Sequence, residues 1–236
     1  MLTEELRASE LERKRLEQMK EEWIVNISHD IKTPLASIQG YAELMRQKDY
    51  DLTFEEMRDY AEIIEQKSLY LKELIEDLNL STRLRNKDLV LNLKSVNMVS
   101  LVRNTVIDML NETPYGNRNI DFHHSDEVIL KDIDEILLRR AVSNLIYNAV
   151  VHNSEDVSIF VNVDKAGDMV RITVEDQGRE SGKRNWDGFL IGITAVHIHK
   201  GSGLGMAIVN DIVKAHGGEI NVTSEVGSGT RIEILL

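Results

Sequence analysis

No cysteine occurs in this chain of 236 residues, which excludes disulfides and thiolate-bound metal. Proline is nearly absent, with two in the whole chain, so little in the sequence forces long helices to break. Long apolar runs are missing as well: none approaches the ~18 residues of a membrane-spanning helix, and the opening MLTEELRASE has no signal-peptide character. Basic charge is in deficit, 28 Lys and Arg against 40 Asp and Glu, for a net charge of -12. A general nucleic-acid binder needs a basic surface against the phosphate field and is disfavoured by this balance. What is present is apolar content of 42%, enough for one large domain or two small ones with real cores. The composition suits the cytoplasm.

Up to about residue 86 the chain holds one Pro and one Gly. Ile24, Ile27, Ile31, Leu35, Ile38, Ala42 and Met45 step by three or four, as do Met57, Ala61, Ile64, Leu71, Leu74 and Leu78, with charge on the other faces. That period predicts two amphipathic helices joined near KDYDLT. Two such helices bury too little on each other, so the stripe is expected to close against a second copy as a four-helix bundle. Residues 1–20 read as a coiled-coil lead-in and 21–86 as the hairpin. From residue 87 to 236, short alternating runs (LVLNLKSV, NIDFHHS, EVILKD, VSIFVNV, MVRITVED, GEINVTS, TRIEILL) mix with helical stretches. The fold class expected is α+β: an antiparallel helical hairpin forming a dimeric four-helix bundle, followed by an α/β sandwich with one mixed sheet covered by helices.

Three constellations carry chemistry. In SHDIKTPLASIQGYAELM, His29 falls between Ile27 and Ile31, so its ring points away from the apolar seam into water. Asp30 stands beside it, Thr33 one turn on, and Pro34 removes a backbone donor. An exposed imidazole next to a carboxylate that orients it and holds its proton is suited to act as a nucleophile. In RRAVSNLIYNAVVHN, Asn144 and Asn148 lie four apart on one helix face, opposite the apolar one. A neutral amide oxygen there can ligate Mg²⁺ while phosphates complete the shell. Finally, VEDQG ends a strand on Asp176, able to accept from an exocyclic amine, with Gly178 allowing close approach. In GSGLGMAIV, Gly201, Gly203 and Gly205 lead into a helix whose first amides would face phosphate oxygens.

Taken in this order, these residues resemble the catalytic core of a sensor histidine kinase. SHDIKTPL is similar to the phosphoacceptor motif and NLIYNAVVHN to the Mg-ATP asparagine motif. DQG and GSGLGMAIV are similar to the two glycine motifs of the ATP fold shared with gyrase and MutL-type ATPases, and HGGEINVTSEVGSGTRIEILL fits the closing hairpin. The resemblance covers nearly all of the chain. It implies that His29 accepts a phosphoryl group from Mg-ATP, that Asp30 assists, and that Thr33 helps hydrolyse a phosphorylated partner. It further implies that Asn148 ligates Mg²⁺, Asn144 lines the phosphates, Asp176 reads adenine and Thr230 supports that contact. The implied partners are a second copy of the chain, the receiver domain of a response regulator and upstream membrane sensor domains, this chain being the cytoplasmic part. A hinge near Ser81 to Asn86 would bring the two sites together.

Departures from the family pattern accompany these matches. Val151 stands where a lysine is frequent, Glu180 replaces the second glycine of the first glycine motif, and the aromatic and arginine-bearing stretch before the lid is missing. Permitted codons for Gly178 to the start of Val196, read with a two-base offset, give PGIGKEELGWIFDRYYRG, a family-like lid. Segment 179–200 therefore reads as an out-of-frame stretch between compensating shifts, expected to pack poorly and to weaken ATP binding. The rival readings are a kinase-defective dimeric scaffold or phosphatase for the regulator, and an ATP-driven clamp that would leave the first eighty residues without a purpose.

Overall fold

The computed structural model describes residues 2–47, 52–112, 115–178, 204–225 and 229–236. The suspected out-of-frame segment 179–200, with Gly201 and Gly203, lies outside them.

Helix α1 (Leu2–Arg46) and helix α2 (Phe54–Arg85) form the hairpin. The lead-in and first hairpin helix are one continuous rod, as the scarcity of helix breakers allows. Thr53 starts α2 with a capping box: its hydroxyl accepts from Glu56 N at 3.2 Å, and the Glu56 carboxylate accepts from Thr53 N at 2.8 Å. The antiparallel register is marked by the Tyr41 and Tyr60 rings, 5.2 Å apart. Ile27 and Leu74 are buried, yet Ile24 (50% exposed), Leu35, Met45, Met57, Leu69 and Ile75 (50%) remain open on the single chain. No helix among the described residues is long and apolar enough to cross a membrane.

The second unit contains β1 (Lys94–Asn97), α3 (Met98–Asn111), β2 (Ile120–His124), β3 (Leu130–Ile133) and α4 (Glu135–Val151). It continues with β4 (Ile159–Ala166), β5 (Met169–Asp176), α5 (Leu204–Ala215), β6 (Glu219–Glu225) and β7 (Gly229–Leu235). The main sheet has the order β2-β4-β5-β7-β6, parallel only between β2 and β4. The mixed sheet is thus present, but β1 and β3 form a separate antiparallel ribbon. The run LVLNLKSV becomes a strand only from Lys94 on; Leu89 and Leu91 before it pack on the core as an irregular strap, with Val90 exposed between them. Alternate residues of β4 (Ile159, Val161, Val163) and β5 (Val170, Ile172, Val174) are buried with Leu138, Leu145 and Ile146 of α4 and Ile208 and Ile212 of α5.

Asp134 joins three segments. Its carboxylate caps α4 through Leu137 N (3.2 Å) and accepts from Asn92 N of the strap (3.0 Å), while its own N–H donates to His216 Nε2 (3.0 Å). The other ring nitrogen of His216 donates to Ile212 O at 2.8 Å, tying the end of α5 to the start of α4.

The expected hinge is not a free joint. Helix α2 runs through it to Arg85, and Ser81 is 1% exposed, donating to Asp211 Oδ2 of α5 at 2.6 Å. Arg85 Nε donates to the same oxygen at 2.8 Å. The chain turns only after Asn86, where Lys87 adopts φ 58°.

Candidate functional site

His29 stands on α1 with 79% of its side chain exposed, and Asp30 beside it is 22% exposed, with Nδ1 to Oδ1 at 3.6 Å. That distance is too long for a direct hydrogen bond and well within Coulombic reach. Burial pushes the Asp30 carboxyl above its ordinary range, and the neighbouring imidazole pulls it partly back. Pro34 is buried one turn on and has no N–H for the Asp30 carbonyl. The Thr33 hydroxyl donates to His29 O at 3.1 Å, so in this arrangement it serves the helix backbone.

On α4, Asn144 and Asn148 share a half-buried face. Asn144 Nδ2 donates to Gly205 O in the first turn of α5 at 3.4 Å, and Gly205 packs on that side chain. The Asn148 side chain makes no hydrogen bond to another described residue, which leaves its amide oxygen available to a cation. Next to it, the Tyr147 hydroxyl has its pKa pushed up to about 12, by burial first and then by Tyr115, with Tyr70 and Glu73 of α2 adding to it.

Asp176 closes β5 at 8% exposure, and its Oδ1 accepts from Gly178 N at 3.0 Å. Thr230, 5% exposed, lies directly across from it in the β5–β7 register. The structure therefore brings together Asn144 with Gly205, and Asp176 with Gly178 and Thr230, while His29 belongs to the other unit.

Two neighbours escaped the sequence. A Cβ on Gly178 would fall 1.8 Å from Asn153 Oδ1 and 3.0 Å from Asp176 Oδ1, so the glycine makes room first for an amide of the protein itself. Asn153 is held there by Nδ2 to Ala149 O (2.8 Å) and by Arg118, which donates to its carbonyl at 2.6 Å. Likewise Gly229, at φ +105°, lies against the Asp176 carbonyl, where a Cβ would meet that oxygen at 1.9 Å. The only sequence signal for either was proximity to a motif residue.

Residues 19–87 match the His Kinase A (phospho-acceptor) domain, and residues 133–236 match the family described as histidine kinase-, DNA gyrase B- and HSP90-like ATPases. Sensor histidine kinase YvrG of Bacillus subtilis is 34% identical over 99% of this chain and 41% of that protein. The chain thus spans about two fifths of the curated relatives it matches first. Among solved structures, histidine kinase AdeS of Acinetobacter baumannii aligns over 88% of this chain and 96% of its own at TM-score 0.69 and 19% identity. Histidine kinase ThkA, in complex with the response regulator protein TrrA, aligns over 98% of this chain and 66% of its own at TM-score 0.71 and 22% identity. A phosphoacceptor hairpin and a gyrase-like ATPase unit, in this order and with these relatives along nearly the whole chain, place it in one family: the chain belongs to the sensor histidine kinases.

Proposed function

We propose that this chain transfers the γ-phosphoryl of Mg-ATP to His29 and then to an aspartate on a response-regulator receiver domain. The observation that carries this is an imidazole 79% exposed beside Asp30, on a hairpin attached to an ATPase unit. The boundaries proposed are 1–20 for the lead-in, 21–86 for the phosphoacceptor hairpin and 87–236 for the ATP-binding unit. The open apolar seam supports a homodimeric bundle, and upstream membrane sensor domains would set its state from outside the cytoplasm.

The residues present fit the nucleotide. Asp176 would accept from the exocyclic amine with Thr230 behind it, Asn144 and the amides after Gly201, Gly203 and Gly205 would face the phosphates, and Asn148 would ligate the cation. Bound Mg²⁺ would neutralise phosphate charge, as phosphoryl transfer requires mainly positioning and electrostatic stabilisation. The Nε2 lone pair of His29 forms the N–P bond, the bond from phosphorus to the leaving ADP oxygen breaks, and Asp30 holds or takes the Nδ1 proton as charge develops. In hydrolysis of the phosphorylated partner, Thr33 would leave its backbone bond to help place the water that attacks phosphorus, the bond to the aspartate oxygen breaking and inorganic phosphate leaving.

The test adds a purified receiver domain to protein labelled from γ-labelled ATP. The label is expected to leave this chain and appear on the receiver; label released only as inorganic phosphate, with none passing through the receiver, would contradict the reading. Gly178→Ala should displace the Asn153 amide and weaken ATP binding about ten-fold, the worth of one lost hydrogen bond plus local repacking. Calorimetry showing unchanged affinity would refute that placement.

A further inference from the structure

The ATP-binding unit sits at a defined height on α2. From the Tyr41–Tyr60 contact, twelve residues along α1 lead to His29 and twelve along the antiparallel α2 lead to Lys72, each about 18 Å at 1.5 Å per residue. His29 is therefore level with Lys72. Alongside, side chains of α4 reach α2: Arg140 of α4 pairs with Asp77, and Tyr147, one residue before Asn148, stands in the field of Tyr70 and Glu73. Eight residues along α4 lead from Arg140 to Asn148 and five along α2 lead from Asp77 to Lys72, which brings Asn148 within about 5 Å of the height of Lys72 and so of the phosphoacceptor.

We propose that the Asp77–Arg140 ion pair sets this height, making both positioning residues for phosphoryl transfer to His29. Arg140, Asn144 and Asn148 lie on one α4 face at four-residue steps, and Arg140 and Asn144 line the same recess of about 450 Å³. A helix is stiff over two turns, so holding Arg140 holds the asparagines. The pair is partly buried, with side chains 18% (Asp77) and 34% (Arg140) exposed. Removing one partner leaves a poorly solvated charge, which surface pairs do not. Burial pushes the Asp77 carboxyl up and Arg140 pulls it back, as such a pair requires. Below it, Ser81 and Arg85 hold Asp211 of α5 at 2.6 and 2.8 Å. Two anchors at different heights fix rotation as well as height, while a single one would leave the unit free to pivot.

This inference rests on the proposed phosphotransfer, and the experiment separates the two. The rate of His29 labelling at saturating ATP is measured with nucleotide Kd for wild type, Asp77→Asn, Asp77→Arg, and Asp77→Arg combined with Arg140→Asp. Wild-type protein that binds ATP without labelling would overturn the phosphotransfer reading itself. With wild type active, Asp77→Arg should label at least ten-fold more slowly with Kd unchanged, Asp77→Asn should fall between, and the charge swap should recover most of the rate. Rates equal to or above wild type in the single variants would overturn the inference, as would a parallel loss of ATP affinity or a swap that fails to rescue. Asp77→Asn keeps the side-chain shape, so it still reports if the arginine variant is unstable.

Discussion

His29→Gln should abolish incorporation of the γ-phosphoryl group while leaving nucleotide binding as it was. The glutamine keeps a polar side chain of similar reach on the exposed face of α1, where 79% of the histidine side chain meets solvent. Nothing buried is disturbed, so the hairpin retains its stability; surface changes of this kind cost within about 0.5 kcal/mol. An amide nitrogen, however, has no lone pair free to form the N–P bond. Burial raises the Asp30 carboxyl above its ordinary range and His29 pulls it back, so this carboxylate is tuned by the imidazole beside it. The proposed ATP site belongs to the other unit, so calorimetry should return a Kd within about two-fold of wild type, as for distant independent sites. Retained labelling in this variant would move the acceptor elsewhere; lost ATP binding would mean that the His29 side chain takes part in holding the nucleotide.

The second large effect concerns Gly229. Its φ of +105° is a conformation that L side chains rarely adopt, and a Cβ would lie 1.9 Å from the Asp176 carbonyl oxygen and 2.8 Å from its carbon. Both atoms are backbone at the end of β5, where it pairs with the start of β7, so neither can rotate away. Gly229→Ala should destabilise the ATP-binding unit by about 3 kcal/mol, combining backbone strain with overpacking. Because the displaced strand end carries Asp176, nucleotide affinity should fall with it. Gly167 provides the control: it also has positive φ, at +67°, but nothing within 4 Å of the added atom. Gly167→Ala should cost only about 1 kcal/mol, the strain without the clash. Urea unfolding of the two variants decides the matter, and equal losses would show that the contact with Asp176 carries no weight.

These expectations show where the sequence was informative. The exposure of His29 followed from its place between Ile27 and Ile31 in a helical period, and the shared face of Asn144 and Asn148 from their spacing alone. Asp176 was legible as a strand end because MVRITV alternates up to it. Local periodicity determines such features, and periodicity is visible in one dimension. What it could not reveal are meetings between distant segments. Asn153 fills the space beside Gly178, Gly229 abuts Asp176, and Asp77 finds Arg140 across 63 positions. Each of these is a tertiary coincidence with no local period. The same reason explains one error of architecture and one contact that was missed. LVLNLKSV alternates well enough for a strand, but its first half is a strap with Leu89 and Leu91 turned to the core and the Asn92 N–H bonded to Asp134. Ser81 to Asn86 was expected as a hinge because the two sites lie on separate units; in this structure α2 runs through it and Asp211 of α5 holds Ser81 and Arg85 in a packed contact that no local pattern announces.

The proposed transfer requires a phosphorus–nitrogen bond to form at His29. Purified protein incubated with Mg²⁺ and γ-labelled ATP should acquire label that is lost in acid, survives in base and maps to the α1 segment containing His29. Label that survives acid, or that maps to a serine, threonine or tyrosine instead, would contradict it.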